Sequence, residues 1–408
     1  MSNILFVDDD KNVLSGLRRR IRSTCPDWNM SFAESGQEAL SLCDAQAFDV
    51  VVTDMRMPGM DGAALLSAIK ERNPDTARII LSGYSDDEAI LRTVGPAQKY
   101  LAKPCDDEVL VGAIRKILEI RDIIDSPAIR NLIGNIDALA SPPDTYMKLL
   151  ETLDDPKAGT DKVEAIVAAD IALTAEVLKL TNSAYFALPS KITSVSHAVR
   201  MLGTDTLKSL ALFVGLFKSF EGPRIVGTRI STLCARSQQI GVAASLIAEQ
   251  EHLDRATCKL LPAIGMLSHI GSLILYLHHY KEMEQVISEV EKEDYTIIEA
   301  EKHHFGAAHP EIGAYLLGLW GFPDSVVQAV AHHHTPARYP HSEMTGLSAL
   351  YVAQHLTREL AQNPRKDGSE YVSEIDFDYL DRIGKRNRLD EWCNIVEKVL
   401  ANDLNNKT

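Results

Sequence analysis

The stretch at 48–62, FDVVVTDMRMPGMDG, constrains this chain more than any other. Three consecutive valines, Val50, Val51 and Val52, read as a strand covered on both faces, which implies parallel neighbours and flanking helices. The run delivers Asp54 to the strand's end, where Pro58 and Gly59 break the chain and Gly62 opens a stretch with helical spacing. Open α/β sheets put their chemistry outside the carboxyl ends of their strands. Asp54 stands at such an end, although an aspartate also starts turns for purely local reasons.

The surrounding chain alternates in the same way. Strands are expected at 4–7, 29–33, 49–54, 78–81 and 99–101, and helices at 13–21, 37–43, 63–69, 87–93 and 107–120. That order predicts an α/β fold with a doubly wound, five-stranded parallel sheet. Asp8-Asp9, Asp54, Ser82 and Lys103-Pro104 then converge on one rim. Three crowded carboxylates do not stay ionised without a counter-charge, and a hard divalent cation such as Mg²⁺ suits their oxygens. Lys103 adds a compact cation and Ser82 a hydroxyl, so the rim can hold a phosphoryl group with Asp54 as its acceptor.

These parts resemble the receiver domain of two-component response regulators, over residues 1–120. The resemblance rests on Asp8-Asp9, Asp54 within TDMRMPGMDG, Ser82 within ILSGY, Tyr100 and Lys103-Pro104, in this order and spacing. It implies that Asp54 is phosphorylated, and that Mg²⁺ is held by Asp8, Asp9, Asp54 and the backbone carbonyl of Arg56. It also implies that Lys103 pairs with the phosphoryl oxygens, while Ser82 is the switch hydroxyl and Tyr100 the aromatic that swings inward with it. Phosphorylation adds about one to two negative charges. The face built by 87–110 is expected to repack in response.

A chain of 408 residues exceeds one ordinary core, so a second domain is expected. A formal charge of −15 repels nucleic acid and anionic membranes, and neither is expected as a partner. The densest cationic run, Arg18, Arg19, Arg20 and Arg22, reads as the solvated face of the first helix. The start lacks a cationic leader, and no later stretch reads as a membrane span. Six cysteines without a CxxC pair suit reduced thiols, so the expected compartment is the cytoplasm.

Apolar spacing over 107–125 reads as one helix, with 107–126 running on as a rigid connector or a homodimer seam. Pro127 stops it. Beyond it the strand signal nearly vanishes. Helices are expected at 146–153, 160–169, 173–180, 195–202, 206–220, 230–249, 255–278, 282–291, 297–303, 310–319 and 325–333. The second domain is therefore an all-α bundle at 127–340, with a C-terminal helical extension at 341–408 packed on it.

Several phrases there resemble the HDOD family, a relative of the HD-type metal-dependent phosphohydrolases. They are LASPP at 139–143, ADIAL at 169–173, LTNSAYF at 180–186, ITSVSHAV at 192–199, MLG at 201–203, the run 304–320, and HHH at 332–334. HD hydrolases need a His-Asp pair plus further His and Asp, because imidazole and carboxylate together hold the cation that activates water. Here Ser268 and His269 occupy the places of that pair, and Arg236-Ser237 stands where another histidine is often offered. An arginine repels a cation, so the domain reads as non-catalytic. The histidine-rich tail keeps a metal in view: His303, His304, His309, His332, His333 and His334 could gather around a transition metal, with His304, His309 and His333 as the candidate ligands. The same histidines could instead cap helices and pack against Trp320.

The combined expectation is a bacterial phosphorelay regulator whose receiver takes phosphate from a histidine kinase. Its HDOD domain would signal by binding a ligand or an output protein, with a kinase or a cyclic-dinucleotide enzyme as candidates. The alternative is a divergent metal-dependent phosphohydrolase acting on a nucleotide or cyclic dinucleotide.

Overall fold

Side-chain alternation along the first strand explains the layout of the N-terminal half. The computed structural model describes residues 2–82, 97–121, 124, 126–136, 139–155, 158–182, 191–209, 218–292, 295–339, 342–362 and 375–405. Strands β1 (Ser2–Val7), β2 (Trp28–Ala33), β3 (Val50–Asp54), β4 (Ala77–Ser82) and β5 (Lys99–Ala102) form one parallel sheet in the order β2-β1-β3-β4-β5. Leu5, Val7, Val51 and Ile80 face one core, with Leu65, Leu66 and Ile69 against them. Ile4, Phe6, Val50, Val52 and Ile79 face the other.

Helices α1 (Lys11–Thr24), α2 (Gly36–Ala45), α3 (Gly62–Arg72) and α4 (Asp107–Arg121) cover the sheet. Asp10, Ser35 and Asp61 cap the first three, each accepting a backbone N–H of the first turn. The helix expected over 87–93 lies outside the described residues.

The helix expected to run from 107 to 125 is shorter. It is helical to Arg121 and no longer helical at Ile124, and the Arg121 guanidinium donates to the backbone oxygen of Asp49 at 3.1 Å and pairs with the Asp75 carboxylate at the same distance. Both partners lie at the lower end of the sheet, so the helix is anchored there rather than projecting beyond it. Leu110, Ile114 and Ile117 are buried within the chain's own core. Val109 of the same apolar stripe is exposed.

The second domain begins at α5 (Pro127–Gly134), capped by Ser126. Arg130 pairs with Asp75 at 3.2 Å, and the fully buried Arg78 donates to the Gly134 carbonyl at 2.6 Å. Lys116 of α4 pairs with Asp324. The second face of the sheet shares one continuous apolar core with the helical half, from Ile79 through Ile133 to Tyr315.

The bundle continues through α6 (Pro143–Asp154), α7 (Thr160–Ala168), α8 (Ile171–Thr181), α9 (Val195–Ser209), α10 (Arg224–Gln250), α11 (Arg255–Leu267) and α12 (Ile270–His278). Then come α13 (Tyr280–Glu291), α14 (Ile297–Phe305), α15 (His309–Leu319) and α16 (Asp324–His332). The closing helices are α17 (Gly346–Gln362), α18 (Phe377–Arg382) and α19 (Leu389–Asn405). The last of these buries Trp392 completely, and its Nε1–H donates to Glu251 at 3.0 Å.

Three expectations about this half are corrected. Of the helix expected at 206–220, residues 206–209 are helical and 210–217 lie outside the described residues; Lys218–Ser219 instead pairs as a short strand β7 with β6 (Ala140–Ser141), and Phe220 N–H donates to the Ser141 carbonyl. The helix expected at 255–278 breaks at Ser268-His269, where the serine hydroxyl turns back onto the Gly265 carbonyl at 2.7 Å. The combined stretch Arg255–His278 does have the length and mean hydropathy, 1.8, of a membrane span, and 83% of its most apolar window is buried inside the bundle.

Candidate functional site

Two clusters of chemistry-bearing residues stand out, one in each half. The first lies at the carboxyl rim of the sheet. β3 brings Asp54 there, and α3 starts so close behind it that a Cβ on Gly62 would lie 2.3 Å from the Asp54 backbone oxygen. The Lys103 ammonium sits between Asp8, at 3.0 Å, and Asp54 in a closer ion pair. Burial opposes the Lys103 charge, but hydrogen bonds and charge from Asp54 and Asp8 outweigh it and hold the lysine pKa above its ordinary value.

Backbone groups fix the carboxylates. Asp8 Oδ1 accepts the Asp10 N–H at 2.9 Å, and Asp54 Oδ2 accepts the Arg56 N–H at 2.9 Å. Asp8 is buried, Asp54 half-buried and Asp9 exposed on the rim. Ser82 pairs with Ala102 in register, so its backbone reaches the same edge, and Tyr100 pairs with Ile80. The side chains of Ser82 and Tyr100, and residues 83–96, lie outside the described residues. The carboxylates already enclose one cation, and Asp9 adds another carboxylate beside them. Such an all-oxygen set fits a hard ion such as Mg²⁺.

The second cluster is buried where α11, α12, α15 and the turn after α16 meet. It brings together His269, His309, His333 and His334, with one nitrogen from each lying within 4.8 Å of the others. Gly271 permits the approach, since a Cβ there would lie 2.1 Å from the His309 carbonyl oxygen. His309 Nδ1 hydrogen-bonds Glu301 at 2.7 Å, and His333 Nδ1 hydrogen-bonds the Val330 carbonyl at 2.7 Å. His269 Nδ1 meets the hydroxyls of Ser268 at 3.0 Å and Ser237 at 3.1 Å, while its Nε2 accepts from the Gln354 amide at 3.2 Å. Burial pushes the pKa values of His269 and His334 well down and that of His333 to about 3, so these rings are neutral.

Of the histidines considered from sequence, His309, His333 and His334 join this cluster. His304 does not: its Nε2 meets Glu289 at 3.0 Å. Sequence reasoning did not single out His269 as a ligand. The departure at Ser268-His269 was the available signal for it. Asp170 and Asn182 serve locally, capping α8 and bridging to Ile192.

Comparison with known proteins accords with both halves. The response regulator receiver domain family matches residues 4–115, and the HDOD domain family matches residues 139–336. The chain carries a response regulator receiver domain followed by an HDOD domain.

Similar proteins include the transcriptional regulatory protein ZraR of Escherichia coli K12, 31% identical over 199 residues, which are 45% of this chain and 44% of that one. The DNA-binding transcriptional regulator NtrC of Klebsiella pneumoniae is 37% identical over 114 residues, 28% and 24% of the two chains. This chain thus spans less than half the length of these curated relatives.

Among solved structures, the signal receiver domain of an HD domain-containing protein from Pseudomonas fluorescens Pf-5 is 33% identical. It covers 30% of this chain and 89% of that one, with a TM-score of 0.28. The MmoQ response regulator of Methylococcus capsulatus is 20% identical, covering 63% and 98%, with a TM-score of 0.47.

Proposed function

We propose that this response regulator is a phosphoprotein whose Asp54 accepts a phosphoryl group from a histidine kinase and whose HDOD domain relays that state by binding. The observation that carries the reading is the Lys103 ammonium held between Asp8 and Asp54 at the sheet rim. In the transfer, an oxygen of Asp54 bonds to phosphorus as the phosphorus–nitrogen bond of the donor phosphohistidine breaks. Lys103 is placed to pair with the incoming oxygens. The Arg56 N–H fixes one Asp54 oxygen and so orients the other. Asp8, Asp9, Asp54 and the Arg56 carbonyl would hold Mg²⁺, which when bound supplies charge neutralisation at the phosphoryl oxygens. Ser82 and Tyr100 are the proposed switch residues.

The route to output is short. α4 belongs to the receiver, yet Lys116 pairs with Asp324 at the start of α16, and α16 leads into the histidine cluster. All six cysteines are free thiols, which supports a reducing cytoplasm. The phosphohydrolase alternative is not favoured. Ser268 and Arg236 stand where ligands would be needed, and among the described residues the metal-capable group contains no carboxylate.

Hydrogen exchange with and without beryllium fluoride and Mg²⁺ tests the coupling. The expected result is altered protection over 97–121 and in α16 of the wild type, with Asp54→Asn unchanged. Identical exchange in both proteins would overturn it.

A further inference from the structure

We propose that His269, His309, His333 and His334 together bind one divalent first-row transition-metal ion, with Zn²⁺ the best fit, in a closed four-imidazole site. Glu301 can only accept at His309 Nδ1, so that nitrogen carries the proton and Nε2 carries the lone pair. The Val330 carbonyl likewise places the proton of His333 on Nδ1. His333 Nε2 is then a fully buried acceptor, and it has no hydrogen-bond partner. Such a group costs about 1–3 kcal/mol unless something satisfies it.

The same bookkeeping fixes His269. The Ser268 hydroxyl hydrogen is committed to the Gly265 carbonyl, so the serine oxygen accepts from Nδ1 and again Nε2 holds the lone pair. Gln354 donates to that lone pair and is the group His269 would release to the ion. His334 completes the set, its Nε2 lying 3.2 Å from His309 Nε2. Metal–nitrogen bonds of roughly 2.0–2.1 Å in a tetrahedron put neighbouring nitrogens roughly 3.3 Å apart.

Imidazole nitrogen selects zinc, nickel, copper or iron over magnesium or calcium. The hydrogen bond from His309 to Glu301 is the outer support that orients metal-bound imidazoles and strengthens their basicity. Four protein ligands fill a tetrahedron. The ion would therefore be structural, tying α12, α15 and the turn after α16 together, with no position left for an attacking water. Arg236 opposes a cation here and the Glu301 carboxylate favours it. The inference does not depend on phosphorylation of Asp54.

The test uses the full-length chain without a histidine tag, stripped with chelator and titrated with Co²⁺. One equivalent is expected to give the intense visible absorption of tetrahedral cobalt, bleached by one equivalent of Zn²⁺. Cobalt held by the receiver carboxylates would be six-coordinate and only weakly coloured. The band should vanish in His309→Gln and His333→Gln and persist in His303→Gln. Glu301→Gln should weaken binding by about tenfold or more while keeping the band shape. A wild-type protein that never develops the band, or a band that survives both ligand substitutions, would overturn the proposal, whatever the variants' stability.

Discussion

The two clusters solve opposite electrostatic problems. At the receiver rim, the single Lys103 ammonium pairs with both Asp8 and Asp54, and their hydrogen bonds and charge hold the lysine pKa above its ordinary value. In the helical half, four imidazoles are enclosed where burial drives His269, His333 and His334 to the neutral form. The rim suits a hard ion and a transferable anion. The pocket suits a borderline metal held permanently. One site is thus built for turnover of charge and the other for retention.

The sharpest way to break this contrast is to spoil the backbone approach on which each site depends. Gly62→Ala places a methyl against the Asp54 carbonyl and is expected to destabilise the receiver by about 3 kcal/mol, seen as a lower urea midpoint. Gly271→Ala places one against the His309 carbonyl and should cost the helical half about 2–3 kcal/mol. It should also disperse the histidine cluster, read as loss of the cobalt band. If either variant unfolds like wild type, the close approach assigned to it is wrong.

A third variant probes how the halves are joined. Asp75 pairs with both Arg121 and Arg130, so Asp75→Ala leaves two half-buried guanidiniums without that carboxylate. The expected loss is about 1–2 kcal/mol, with the single unfolding transition separating into two in calorimetry. A single unshifted transition would show that the shared apolar core alone couples the halves.

The smallest effect concerns a buried carboxylate that has no lysine. Asp170 caps α8 and accepts from Ser141 at 3.0 Å, yet burial raises its pKa from 3.8 to about 6. The folded state therefore binds a proton more readily than the unfolded one. Stability contributed by this group falls as pH rises from about 4 to about 6 and stays lost above that. Asp170→Asn keeps a capping oxygen and should flatten that part of the pH profile of unfolding. An unchanged slope would remove Asp170 as its source.

Legibility differed between the halves for a physical reason. In a parallel α/β sheet every strand's carboxyl end falls on one rim, so Asp8, Asp54 and Lys103 could be brought together from strand order alone. The histidines come from three separate stretches whose packing angles no local spacing encodes, so His269 emerged as a ligand only in three dimensions. The break at Ser268-His269 was invisible for a related reason. Apolar periodicity runs unbroken through it, and only the serine's hydrogen bond to Gly265 reveals the turn. The helix expected to extend to 125 likewise looked continuous, because nothing local shows that Arg121 is tied down by Asp49 and Asp75.

The most direct test of the regulator reading is chemical. Full-length protein incubated with acetyl phosphate and Mg²⁺ is digested, and the adduct is located by peptide mass mapping. The account predicts a single phosphoryl group on Asp54, absent from Asp54→Asn. A folded wild-type protein that is never labelled, or is labelled at another residue, would contradict it.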